Sequence, residues 1–137
     1  MTLAFFDTDI LVYTDDASTP VKQKRATHLF KDHLIRGAAV LSLQVLQEYF
    51  STVTRKLSLP LQVAQRRVEI FASAKVIRFE VTDLVAAIEL HRLTHISFWD
   101  ALIVHAARMA GASVLYSEDF QSGTVLGGVR VVNPFLP

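Results

Sequence analysis

The sequence predicts an α/β protein of three layers, α/β/α, with a parallel sheet between helices. Three observations carry this. Short apolar, β-branched or aromatic runs recur at 3–6, 38–41, 76–79, 114–116 and 129–132 of the 137 residues, each suited to a buried strand. Helical patterns with recognisable start and stop residues fill most of the intervals. Strands alternating with helices imply a parallel sheet covered on both faces.

Each element has a local reason. The first run ends at Asp7. Thr19 can cap a helix with Pro20 at its first position and Gly37 just past its end. Ser42 follows the second run and can cap a helix holding Leu43, Leu46, Phe50, Val53 and Leu57. Pro60 opens another helix, with Leu61, Ala64, Val68 and Phe71 on one side. After the third run, Thr82 and Ser97 can cap two more helices, and Gly111 ends the second of these. The stretch QSGTVLGGV reads as a loop into the last strand. There is no repeat, linker or low-complexity segment, so 1–137 reads as one domain. Neither a Walker loop nor a Gly-x-Gly-x-x-Gly fingerprint is present.

Composition narrows the class. Hydrophobic residues make up 51 % of the chain, more than a small domain hides alone, which predicts a partner or self-association surface. No apolar stretch approaches the ~20 residues of a membrane span. The start MTLAFFDTD has no basic region, long apolar run or small-residue cleavage site, so no signal peptide is expected. The absence of Cys excludes disulfides and thiolate metal sites and fits a reducing cytoplasm. Lys and Arg number 14 against 13 Asp and Glu, a balance that by itself predicts no nucleic-acid binding. If several carboxylates were drawn into a metal-filled pocket, however, the remaining surface would be distinctly basic. The bases also cluster, as Lys22, Lys24 and Arg25, Arg55 and Lys56, and Arg66 and Arg67; solvated helix faces are the simpler reading.

The informative residues are acids. In open parallel sheets, ligands bind beyond the carboxyl ends of the strands. Asp7 follows the first strand directly, and Asp119 follows the fourth by three residues in LYSED. Glu48 lies about one and a half turns into the helix after the second strand, and helical side chains tilt back toward the helix start. Asp100 sits in the first turn of the helix that feeds the fourth strand and so starts at the same edge. Each acid has an ordinary alternative. Asp7 suits a turn, Asp9 a helix cap, Glu48 a solvated face, and Asp119 a loop. Asp100 stands three residues after Ser97, a capping-box spacing. Taken together, four acids at one edge repel one another unless a cation offsets them. Oxygen ligands without Cys favour Mg²⁺ or Mn²⁺ over zinc. Such a site suits metal-assisted attack of water on a phosphodiester.

The segments FFDTDILVY, SLQVLQEYF, ISFWDALIVHAA and VLYSEDFQSG…GVRVVNPF together resemble the PIN-domain ribonucleases, in particular the VapC-like toxins of toxin–antitoxin pairs. The resemblance runs over nearly the whole chain and rests on the order and spacing of motifs. It implies a five-stranded parallel sheet and Mg²⁺- or Mn²⁺-dependent endonuclease activity on RNA. It implies an acidic quartet at Asp7, Glu48, Asp100 and Asp119. Asp7 and Asp119 would bind metal directly, Asp100 directly or through water, and Glu48 would hold a second ion or orient the attacking water. Ser117 matches a supporting hydroxyl residue. The family often has Asn two residues after the first Asp; this chain has Asp9, a fifth acid. The resemblance further implies a homodimer and an antitoxin whose C-terminal segment lies across the active-site groove.

Other signals are weaker. His91 and His95 are one helical turn apart, but no third ligand is obvious, and exposed helix histidines are the simpler reading. The helix 98–109 is apolar on most sides, as expected of a central core helix, and His105 within it suits a core or interface position. Phe98, Trp99 and Phe120 could stack on bases, although packing explains Phe98 and Trp99 more simply. Ser42, Ser97 and Ser117 lack a His partner for a nucleophilic triad. Two competing functions remain at this level. The Asp-x-Asp of FFDTDIL would suit a haloacid-dehalogenase-type phosphohydrolase with Asp7 as nucleophile and Asp9 as acid/base. A metal-free, non-catalytic binding module is the other.

Overall fold

The computed structural model of the chain describes residues 2–137. In chain order the elements are β1 (Ala4–Phe6), α1 (Thr8–Tyr13), α2 (Pro20–Ile35), β2 (Ala39–Ser42), α3 (Leu43–Arg55) and α4 (Leu61–Phe71). They continue with β3 (Lys75–Ile77), α5 (Val81–Thr94), α6 (Phe98–Met109), β4 (Val114–Tyr116), β5 (Val125–Leu126) and β6 (Val129–Val132). The sheet has six strands in the order β3-β2-β1-β4-β6-β5. All neighbours pair in parallel except β5, which pairs antiparallel to β6. The expected five parallel strands are present. The sixth is a two-residue hairpin arm formed by the Gly-containing stretch that had read purely as loop. Gly127 and Gly128, both with positive φ, turn that hairpin.

Strands β1, β2 and β4 read as unbroken apolar runs because both faces of the sheet are covered. Phe5 and Phe6 point to opposite faces, and both are fully buried. Phe6 meets Phe30 of α2 edge-on at 5.0 Å. Phe71 of α4 then stands edge-on to Phe30 and to Tyr49 of α3, so one aromatic cluster joins three helices. Residues 101–107 of α6 are all buried, the central helix its composition predicts.

The helix starts follow the sequence with two corrections, the first being that Thr19 stands before Pro20 but its side chain makes no cap hydrogen bond. The hydroxyl of Ser42 accepts the Val45 amide, and that of Ser97 accepts the Asp100 amide at 3.0 Å. Thr82, however, lies inside α5. Glu80 takes the cap position, and its amide donates to the Asp83 carboxylate at 2.8 Å. A Glu rarely caps a helix; here the acid three residues on supplies the reciprocal bond.

The topology positions the site. From β1 the chain steps outward one way through β2 and β3, then returns to build β4 and β6 on the other side. The order therefore reverses between β1 and β4, and a crevice opens beyond their carboxyl ends.

Candidate metal centre

All four acids predicted for the edge of the sheet line this crevice. A cleft of about 770 Å³ is bordered by Asp7, Asp9, Glu48, Asp100, Glu118 and Asp119. Asp7 ends β1 and caps α1, so its backbone is fixed on both sides. One of its carboxylate oxygens accepts the Thr8 amide at 2.7 Å, and the other accepts the Ser117 hydroxyl at 2.8 Å. The same Ser117 oxygen accepts the Asp119 amide at 3.1 Å. Ser117, fully buried just past β4, thus couples the acids that follow β1 and β4.

Glu48 reaches the cleft from α3. Thr8 donates its hydroxyl to one Glu48 oxygen at 2.8 Å, and Gln44, one turn earlier, approaches the other at 3.4 Å. Asp100 stands in the first turn of α6, where Ser97 caps its amide and leaves the carboxylate free to face the cleft. Asp9, in the first turn of α1, accepts the Glu118 amide at 2.9 Å through one oxygen. Its second oxygen is buried and has no hydrogen-bond partner among the described residues.

The electrostatics are unbalanced. Burial pushes the Asp7 carboxyl up to about 7, with the charges of Asp119 and Glu48 adding to it. Burial also pushes Asp9 up to about 8, with Asp7 and Asp119 adding. Asp119 is raised by its own burial and by Asp100, Glu118 and Glu48. No Lys, Arg or His forms an ion pair with Asp7, Asp9, Glu48, Asp100 or Asp119 among the described residues. Glu118 alone is neutralised, by Lys22, with Tyr13 donating to its other oxygen at 2.6 Å.

Oxygens of Asp7, Asp9 and Asp119 lie within 4.8 Å of one another, close enough to share one ion. An all-carboxylate set with an orphaned acceptor suits a hard divalent cation. Asp9, expected only in support, belongs to this tight trio, whereas Glu48 and Asp100 border the cleft outside it. Sequence reading missed Thr8, the orienting donor to Glu48, and the Glu118 amide, which points at Asp9. A hydroxyl between two acids in DTD was a signal for the first; a backbone donor carries none.

The remaining candidates separate cleanly. Among the described residues, neither His91 nor His95 belongs to a metal-capable cluster. His91 bonds the Ile96 carbonyl through its ring, and His95 ends α5 in the left-handed conformation. Phe98 and Phe120 are half-buried, and Phe120 packs against the core. Trp99 does not pack away as expected: it is 62 % exposed and borders the cleft. His105 is buried against Phe79.

Fold and site together define an α/β protein with a carboxylate-lined cleft at the switch point of its sheet, whose central acids have no ion-pair partner among the described residues. The chain belongs to the PIN domain family, which matches residues 4–121. Ribonucleases are found in this family. Among solved structures, the chain is similar to one in a toxin–antitoxin complex from Klebsiella pneumoniae. That match has 18 % identity and a TM-score of 0.71 over 96 % of this chain and 98 % of that one. It is similar to Mycobacterium tuberculosis VapC20, described as a sarcin-ricin loop cleaving toxin, at 21 % identity and a TM-score of 0.69 over 85 % and 89 % of the two chains. It is also similar to a chain of Rickettsia felis VapBC2 bound to promoter DNA, at 16 % identity and a TM-score of 0.67 over 95 % and 97 %. At these identities the likeness is one of fold. A search of curated proteins finds no significant match. No helix among the described residues is long and apolar enough to cross a membrane.

Proposed function

We propose that this chain is a metal-dependent endoribonuclease and the toxin of a toxin–antitoxin pair, with 1–137 acting as one PIN-like unit in the cytoplasm. The observation that carries the catalytic part is the buried, unpartnered Asp9 oxygen among carboxylates that form no ion pair among the described residues. Asp7 and Asp119 would hold Mg²⁺ or Mn²⁺ directly, and Asp100 directly or through water. Glu48, steadied by Thr8, would hold a second ion or orient the attacking water. Ser117 keeps Asp7 and Asp119 in register. Bound metal would lower the pKa of water and neutralise charge on the phosphodiester oxygens.

The toxin role is supported by the structural neighbours, two of which come from complexes with an antitoxin. It is also supported by unmet apolar surface. Helix α5 exposes Val85, Ile88 and Leu93, a flank that suits a second copy of the chain or a partner protein.

The test is a Mn²⁺ titration followed by thermal stability and by cleavage of single-stranded RNA. Wild type gains stability with metal and cleaves; Asp7→Asn and Asp100→Asn fold but do neither. Equal cleavage by those variants refutes the assignment. For the toxin role, the gene immediately upstream is expected to encode a short protein with a DNA-binding N-terminus and a tail that inhibits cleavage in trans.

A further inference from the structure

Trp99 is the chain's only tryptophan, and it is spent on the surface. Large aromatics are mostly withdrawn from water, so an exposed one beside a cleft marks a contact. Its place is specific. It precedes Asp100 on the first turn of α6, and its ring stands edge-on to Phe98 with centroids 5.0 Å apart, which holds it upright. It borders the acidic cleft on one side. On the other it borders an apolar cavity of about 410 Å³ walled by Ile77, Phe79, Leu84 and Leu102. That volume is within the range that accepts a small planar ligand.

The same cleft also has two cations. Arg55 and Lys56, at the end of α3, border it and form no ion pair among the described residues. The cleft therefore offers phosphate-binding charge, an acid cluster suited to a metal, and an aromatic face opening on an apolar cavity.

Resting on the nuclease reading, we infer that Trp99 is the stacking platform for an unpaired nucleobase of the substrate strand. The base beside the cleaved phosphate lies on the indole face and turns toward the apolar cavity. Arg55 and Lys56 hold the backbone elsewhere along the cleft. A base held in a duplex cannot present its face in this way, so the site takes single-stranded RNA or loops. A protein segment fits the cavity but leaves unexplained why Trp99 also borders the acidic cleft and shares it with cations that form no ion pair among the described residues.

With one tryptophan in the chain, its emission reports directly on this contact. Wild-type protein is titrated in Ca²⁺ with a single-stranded RNA octamer and, separately, with the same octamer in a duplex, strand integrity being verified on a gel. Emission falls saturably with the single strand and much less with the duplex. In Mn²⁺ cleavage assays, Trp99→Ala raises KM at least about fivefold with kcat within about twofold, and Trp99→Phe recovers most of the loss. Replacing both Arg55 and Lys56 by Gln reduces the slope of log affinity against log salt by ~1.4, at ~0.7 per phosphate contact.

Emission unchanged by RNA, or an unchanged KM in Trp99→Ala, overturns the inference. Emission that tracks protein concentration instead of RNA assigns the ring to contact between copies and overturns it as well. Wild type that cleaves no RNA in Mn²⁺ refutes the nuclease reading, while the titration, which needs no cleavage, still decides the stacking.

Discussion

The molecule withdraws carboxylates from water in two places and treats them oppositely. Asp15, just after α1, meets Arg67 of α4 at 3.0 Å, and the Tyr49 hydroxyl donates to the same carboxylate. Arg67 also bonds the Thr14 hydroxyl and lies over the Phe71 ring. Every charge there has a partner from the chain, and the network ties α4 to α1 and α3. A few residues away, Asp7 and Asp9 share a cleft with Asp119, Glu48 and Asp100, and among the described residues none of these acids forms an ion pair. Burying charge without a partner costs stability, so such acids either take up a proton or await a cation from outside. The contrast separates a carboxylate paired within the fold from one left without an ion-pair partner more sharply than burial does.

The largest effect that would break this contrast comes from the acids. Asp7→Asn is expected to lower Mn²⁺-dependent cleavage by more than about a hundredfold, since even outer partners of metal ligands cost 10- to 100-fold. Its metal-free melting temperature is expected to equal or exceed that of wild type, because one repelling charge is gone. Next is the balanced network. Arg67→Met should lower stability by about 2 kcal/mol in urea unfolding, by stranding Asp15 in a partly buried site, and should leave Mn²⁺ affinity unchanged. Ser117→Ala should weaken Mn²⁺ binding by roughly tenfold in a thermal-shift titration, because Asp7 and Asp119 lose their shared hydroxyl.

The last prediction concerns the pH dependence of the metal-free protein. The Asp7 and Asp9 carboxyls are raised in the fold, to about 7 and about 8, from an ordinary value of 3.8. Between those limits the folded state binds more protons than the unfolded state, so stability falls as pH rises. The melting temperature without metal should drop between pH 5 and 8, and saturating Mn²⁺ should remove most of that drop. A metal-free melting temperature that rises across this window contradicts the proposed imbalance.

Much of the site was legible because the rule used to find it depends only on chain direction. Acids placed just beyond strand ends, or at the start of a helix running into a strand, share an edge wherever the sheet is parallel. Asp7 and Asp119 followed from the strands, and Glu48 and Asp100 from the helices. Asp9 was underread because local spacing suggests a helix cap; its place in the trio depends on the loop at 117–119 folding over α1, a contact between residues 109 positions apart. Trp99 was misread for the opposite reason. Its helix is buried from 101 to 107, and the apolar pattern does not show that the first turn projects beyond the sheet. Strand β5 escaped because two residues between glycines carry no periodicity, and only pairing with β6 defines them. The cap of α5 was misplaced at Thr82 because a hydroxyl is the usual cap, and Glu80 works only with Asp83 behind it.

His95 ends α5 with φ at 62°, a conformation that glycine reaches freely and histidine only at a cost. Two residues later Ser97 starts α6, and the His91 ring clamps the Ile96 carbonyl between them. The joint is pinned by one left-handed residue and one ring-to-backbone bond, and the front of the next helix follows directly from it. Asp100 and Trp99 ride on that front, so the aim of two cleft residues is set by a bend that touches neither.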